Sequence, residues 1–173
     1  VVPSGVQVGL GVKTAAIYRI HEQGSLNNTE NRFDLAIRGN GYFRIRLPSG
    51  EDAYTRDGTF GLSPDGQIVT ADGFVVQPGI TIPSNARDVT INASGEVLVK
   101  IDQQVQPQNV GQILLTTFPN EGGLESVGEN LLMETPASGA PVQGVSAGPG
   151  FGTILQGFVE TSKVNVVNEI TSL

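Results

Sequence analysis

Gly144-Val145-Ser146-Ala147-Gly148 is the stretch that comes nearest to covalent chemistry. This glycine-flanked spacing serves hydrolases by setting a serine on a sharp strand-to-helix turn, with the histidine that takes its proton later in the chain. Here Pro149 and Gly150 oppose a following helix, and the one histidine, His21, lies upstream. Ser146 is therefore expected in a loop. His21 has no second histidine to share a metal with, so it reads as a partly exposed structural residue. Gly39-Asn40-Gly41 fits a phosphate loop only in part: Arg44 stands where the dinucleotide fingerprint has its third glycine, and strand-like residues follow. Gly11-Val12-Lys13-Thr14 has the end of a P-loop, but Val12 replaces a required glycine. Asp57, Asp65 and Asp72 each precede a glycine, which is turn chemistry, whereas calcium needs a denser set of oxygens. Arg38, Arg44, Arg46 and Arg56 form a modest basic group, read as a solvated sheet face or a subunit contact before an anion site. There is no cysteine. The sequence thus predicts no catalytic, cofactor-binding or metal site.

The elements that would position these residues are short strands. Phe43, Ile45 and Leu47 alternate with Arg44 and Arg46, the period of a half-buried strand. Phe33, Leu35 and Ile37 do the same, as do Ile80 and Ile82, Val89 and Ile91, and Val97, Val99 and Ile101. Ile113 to Phe118 is the longest β-rich run. Turn residues punctuate these runs at Pro48-Ser49-Gly50, Asp57-Gly58, Pro64-Asp65-Gly66 and Asp72-Gly73. Ser63 to Val69 and Asn92 to Leu98 echo each other, which reads as one hairpin type used twice. The expected fold is mainly β: an antiparallel barrel- or sandwich-like domain over residues 30–140. Residues 1–29 and 141–173 are expected to be extended stem segments. Pro136 to Gly152, rich in Gly, Ala, Pro and Ser, should run over a surface. Asn165 is a candidate N-cap for Val166, Ile170 and Leu173, which predicts the start of a marginal C-terminal helix. The chain starts at Val1 and its one methionine is Met133, so it is expected to be a piece of a longer protein.

Composition narrows the function classes. The formal charge of −7 opposes contact with nucleic-acid phosphates. No apolar run has the length of a membrane-spanning helix. Without tryptophan and with three tyrosines, the chain is poorly supplied for an aromatic-lined ligand groove, which weighs against a surface adhesin or carbohydrate-binding module.

Several blocks resemble those of the flagellar basal-body rod and hook proteins. Gln23-Gly24-Ser25-Leu26, Thr29, Asn31 and the run Asp34-Leu35-Ala36-Ile37-Arg38-Gly39-Asn40-Gly41-Tyr42-Phe43 carry the first. Tyr54 to Phe60, Gly66 to Thr70 and Gly73-Phe74 continue it, and Gly157 to Val166 resembles the family's entry into a C-terminal helix. Pro3 to Gly9, Gly123 to Leu131 and Glu134-Thr135 are most similar to the distal-rod members. Lys163 departs from the asparagine usual in the family.

That resemblance implies a structural, non-enzymatic subunit that needs no cofactor. Terminal helices of such proteins pair into an inner tube, and the β domain forms an outer layer of the helical polymer. Implied partners are further copies of the chain, proximal-rod and hook subunits, and the surrounding bushing rings, with no nucleic acid or small-molecule substrate. The implied location is the basal body, from periplasm to outer membrane, reached through the flagellar type III export apparatus. A proximal-rod or hook-type subunit is the alternative within the family.

Overall fold

The computed structural model describes the backbone of residues 17–161 and 163–168, and the side chains of residues 23–161. The Gly11 to Thr14 motif, the Pro3 to Gly9 block and the side chain of His21 lie outside what is described.

The chain forms two compact units, Val1–Glu22 with Lys163–Leu173, and Gln23–Ser162. In the first, β1 (Ile17–Glu22) pairs antiparallel with β18 (Lys163–Asn168), Ile17 opposite Asn168 and Glu22 opposite Lys163. This corrects the expected helix start: Asn165 is a strand residue facing Ile20. Val164, Val166 and Val167 favour a pleated ladder, whereas a helical first turn fixes several residues for one hydrogen bond. Ile170 and Leu173 lie outside the described residues.

The second unit begins with β2 (Leu26–Asn28), β3 (Leu35–Arg38), β4 (Phe43–Arg46), β5 (Asp52–Thr55), β6 (Phe60–Leu62), β7 (Ile68–Thr70) and β8 (Val75–Gln77). It continues through β9 (Ala86–Ile91), β10 (Glu96–Ile101), β11 (Gln108–Gln112), β12 (Leu114–Thr117), β13 (Glu125–Ser126) and β14 (Leu132–Met133). The last are β15 (Val142–Val145), β16 (Thr153–Gln156) and β17 (Phe158–Glu160). A seven-stranded antiparallel sheet has the order β13-β14-β5-β4-β8-β7-β6, and a three-stranded one the order β11-β10-β9. Two-stranded ladders join β12 to β15, β16 to β3 and β17 to β2. The large sheet is open, ending at β13 and β6, so the fold is sandwich-like and not a closed barrel.

The alternation seen in β4 is met: Phe43 and Ile45 are fully buried, while Arg44 and Arg46 face outward. Phe43 packs edge-on to Phe60, 5.0 Å between centroids. The same core takes in Ile91, Val97 and Val99 from the small sheet and Leu35, Ile37 and Ile154 from β3 and β16. Burying these side chains contributes about 1.5–3 kcal/mol each. On the opposite face of β4 and β5, Tyr42 and Tyr54 pack on Phe118.

Three differences from expectation have local causes. Ile80 and Ile82 are buried, but Thr81 between them makes only an isolated bridge to Gln67, since Pro78 and Pro83 bound the segment too closely for a strand. In β3, small Ala36 is buried along with Leu35 and Ile37, so both faces of that strand are covered. Residues 141–161 carry β15, β16 and β17, each paired within the larger unit, and that unit extends beyond residues 30–140 at both ends. The two echoing hairpins do match. Gly66 N–H donates to Ser63 O and Gly95 N–H to Asn92 O, both at 2.9 Å, and each glycine carbonyl accepts the N–H of a later isoleucine, Ile82 or Ile113.

Candidate functional site

The residues of the motif blocks converge where β2 and β17 meet the loop after β3. Arg56 follows β5, and its planar head reaches back across the Gly39-Asn40-Gly41 bend. Nε donates to Glu160 Oε1 at 3.1 Å and Nη2 to Oε2 at 3.2 Å, a forked ion pair. Nη1 donates to Gly39 O at 2.6 Å and Gly41 O at 2.8 Å, and Nη2 also to Ile37 O at 3.1 Å. A guanidinium has five N–H groups, so these bonds use all of its donors. The side chains are 11% exposed for Arg56 and 2% for Glu160, which places the pair out of bulk water.

Glu160 closes the network toward the start of the unit. Its Oε2 accepts Gly24 N–H at 2.8 Å and the Gln23 side-chain amide. Gln23 Oε1 in turn accepts Gly39 N–H at 2.8 Å. Gly24 is required there by close approach, because a Cβ would lie 1.7 Å from Thr161 O, a backbone atom. Thr161 N–H donates to Ser25 O at 2.8 Å, so the two chain segments are stitched on both sides of the carboxylate.

Asp34 anchors the neighbouring turn. It is buried, and its Oδ2 accepts Thr29 Oγ1–H at 2.7 Å and Asn31 Nδ2–H at 3.0 Å. Tyr42 carries the bend into the second apolar cluster, where its hydroxyl donates to Glu121 Oε1 at 2.8 Å. Burial, then that hydrogen bond and the Glu121 charge, push the Tyr42 phenol well above its ordinary range. Tyr54 is pushed up too, again mainly by burial.

Such an arrangement holds position. Its donors and acceptors are spent on one another, and the paired charges fix main-chain carbonyls of three residues against two distant segments. The remaining candidates separate from it. Ser146 is 1% exposed and its hydroxyl donates to Ala93 O at 2.8 Å, in a turn that Gly148 closes by donating to Val145 O. The basic group is not one face: Arg44 and Arg46 share Asp52, Arg56 is buried, and Arg38 is exposed beside a shallow depression with Asn40 and Phe151. Asp57 takes Thr59 N–H and hydroxyl, as its turn requires. Among the described residues, no three acidic or histidine side chains come together as a metal site. The Arg56–Glu160 pairing was missed in the sequence, where 104 positions separate the partners and no spacing links them.

Residues 36–99 match the family model described as the flagellar hook protein FlgE/F/G D1 domain. The chain is 58% identical over 173 residues to flagellar basal-body rod protein FlgG of Caulobacter vibrioides, covering 100% of this chain and 66% of that protein. It is 47% identical over 171 residues to the protein of that name from Buchnera aphidicola of Acyrthosiphon pisum, covering 99% of this chain and 66% of the relative. A shorter similarity, 44% over 73 residues, joins 42% of the chain to 16% of flagellar hook protein FlgE of Helicobacter mustelae. The chain thus spans just under two thirds of the length of the rod relatives it matches.

Proposed function

The chain belongs to the flagellar basal-body rod protein family, and from that premise we propose that it is the β-rich part of a distal-rod subunit. In this reading it is non-catalytic, one repeat of a helical tube that carries torque from motor to hook. Its partners are further copies, the adjoining proximal-rod and hook subunits, and the surrounding bushing rings. It works in the basal body between periplasm and outer membrane, after export by the flagellar type III apparatus.

The observation that carries the reading is the 58% identity to a named rod protein along the whole chain. The junction geometry supports it. The larger unit, Gln23–Ser162, supplies the body of the outer domain, and the segments before and after it in the chain are its stems. Arg56 and Glu160 clamp those stems where they join the domain, at Gln23 and Thr161. A clamp of this kind resists displacement without any bound ligand. Ser146 spends its hydroxyl on Ala93 O, which weighs against a nucleophilic role for that serine.

The test is to tag the full-length protein in its own cell and locate the tag by immunogold labelling of purified hook–basal bodies. Label along the distal rod supports the proposal. The similarity to a hook protein favours one competing outcome, label along the hook. Label on the cell surface would overturn the family assignment to the axial structure altogether.

A further inference from the structure

We propose that β15 is a docking edge for a second copy of this chain, joined through backbone hydrogen bonds at Gln143 and Val145; the inference rests on the rod reading. The argument starts from Thr116 on β12. Tyr42 N–H donates to Thr116 O at 2.8 Å, and Thr116 N–H donates to Tyr42 O at 3.0 Å. Both main-chain groups of Thr116 therefore point away from β15. Gln143 faces Thr116 across the β12–β15 ladder, so the two form a non-hydrogen-bonded pair. Gln143 must then turn its own N–H and C=O to the other side, where no described strand lies. Val145 faces Leu114 in the same phase, so its N–H points outward as well, while its carbonyl accepts Gly148 N–H. The side chains of Val142, Gln143 and Val145 are all exposed, the two valines by 52% and 43%.

An open edge invites pairing with another chain, and proteins commonly blunt it with charge, short strands or bulges. The edges of the two larger sheets carry such blocks. β13 is two residues long and bears Glu125, and β6 has three residues. β9 exposes Arg87 and Asp88. β11 sits beside a register shift, and Asn109 Oδ1 occupies the Gly111 N–H at 2.9 Å. On β15 the one such device is Gly148, whose N–H takes the Val145 carbonyl and leaves the outward groups of Gln143 and the Val145 N–H open. From Thr135 to Val159 the chain has no charged residue at all.

That neutrality selects the occupant. Two copies with a charge of −7 repel wherever carboxylates face each other, and β15 is an edge at which they meet without like-charge contact. A basic partner would instead be drawn to the hairpin around β13 and β14, where Glu121, Glu125, Glu129 and Glu134 are exposed. A contact that joins this edge to a different surface of the next copy propagates as an open helical array.

The test uses the full-length protein in its own cell, with Gln143→p-benzoylphenylalanine as a photoreactive probe. Irradiated basal bodies should give an adduct of two copies, and mass spectrometry should identify the captured peptide as this chain's own. An adduct to a different protein, or none, overturns the inference. Gln143→Pro, which removes the outward N–H, should reduce assembled rods at unchanged export, whereas Gln143→Ala, which keeps it, should not. Equal loss in both would place the effect in the side chain and overturn the backbone pairing. Tagged wild-type protein absent from basal bodies would defeat the rod reading itself; tagged protein present without a self-adduct defeats this inference alone.

Discussion

The Arg56 guanidinium and the Glu160 carboxylate meet fork to fork, at 3.1 and 3.2 Å, across 104 positions of sequence. Removing one member would leave the other buried and uncompensated, a loss of about 3–5 kcal/mol for pairs of this kind. Glu160→Gln should therefore lower the denaturation midpoint strongly. Arg56→Lys should lower it too, since an ammonium has three donors and cannot span five acceptors. The double variant Arg56→Met with Glu160→Gln should lose less than the sum of Arg56→Met alone and Glu160→Gln alone. A double-mutant cycle in urea checks this, and strict additivity would show that the pair is not coupled.

Tyr42 gives the fold an alkaline limit. Its folded-state phenol is raised by burial and by Glu121, so the folded state prefers the neutral, protonated form. The contribution is complete below the unfolded value of about 10 and is lost as pH rises beyond it. Stability should fall above that pH, and Tyr42→Phe should fall less steeply. The variant also forfeits the hydrogen bond to Glu121, about 1 kcal/mol at neutral pH. Thermal melts of both proteins from neutral to alkaline pH measure it; parallel curves above pH ~10 would refute the assignment to Tyr42.

Gly24 is fixed by space. A methyl group there meets Thr161 O at 1.7 Å, and the obstacle is backbone. Gly24→Ala should separate Gln23 from Glu160 and expose the amides of Gly24 and Gly39 to exchange. Hydrogen exchange read at those two amides is the measure. Protection equal to wild type would mean that the junction absorbs the change elsewhere.

Much of this architecture is legible along the chain because a strand writes its burial in steps of two. Phe43 and Ile45 against Arg44 and Arg46 gave both faces of β4 correctly. The junction was legible only as motif blocks: Gln23-Gly24, Gly39-Asn40-Gly41, Arg56 and Glu160 mark themselves by resemblance, but their contacts are made by tertiary folding that no local period encodes. The helix expected at Asn165 failed for the complementary reason. Val166, Ile170 and Leu173 have helical spacing, yet a partner strand from Ile17 to Glu22 offers the backbone a ladder that a short isolated helix does not match. Ile80 and Ile82 kept their predicted burial and lost their predicted strand, since burial follows hydrophobicity while strand pairing requires amides that the flanking Pro78 and Pro83 lack.

The 173-residue chain by itself should be monomeric in dilute solution, even though the proposed function makes the whole subunit a repeat of a polymer. A net charge of −7 opposes association at low salt. The open edge at β15 offers only the N–H and C=O of Gln143 and the N–H of Val145, and a hydrogen bond exchanged with water contributes about 0.5–1.5 kcal/mol net. Two or three such bonds fall short of the cost of joining two free bodies, about 4–15 kcal/mol. Within a polymer the same bonds form between neighbours already held close, where effective concentration replaces free diffusion. Sedimentation at micromolar concentration should thus give a mass near 18.1 kDa, and raising the salt should increase association only slightly. A stable closed dimer, or filaments grown from this chain alone, would show that the β domain itself drives assembly and that its contacts are stronger than the geometry at Gln143 allows.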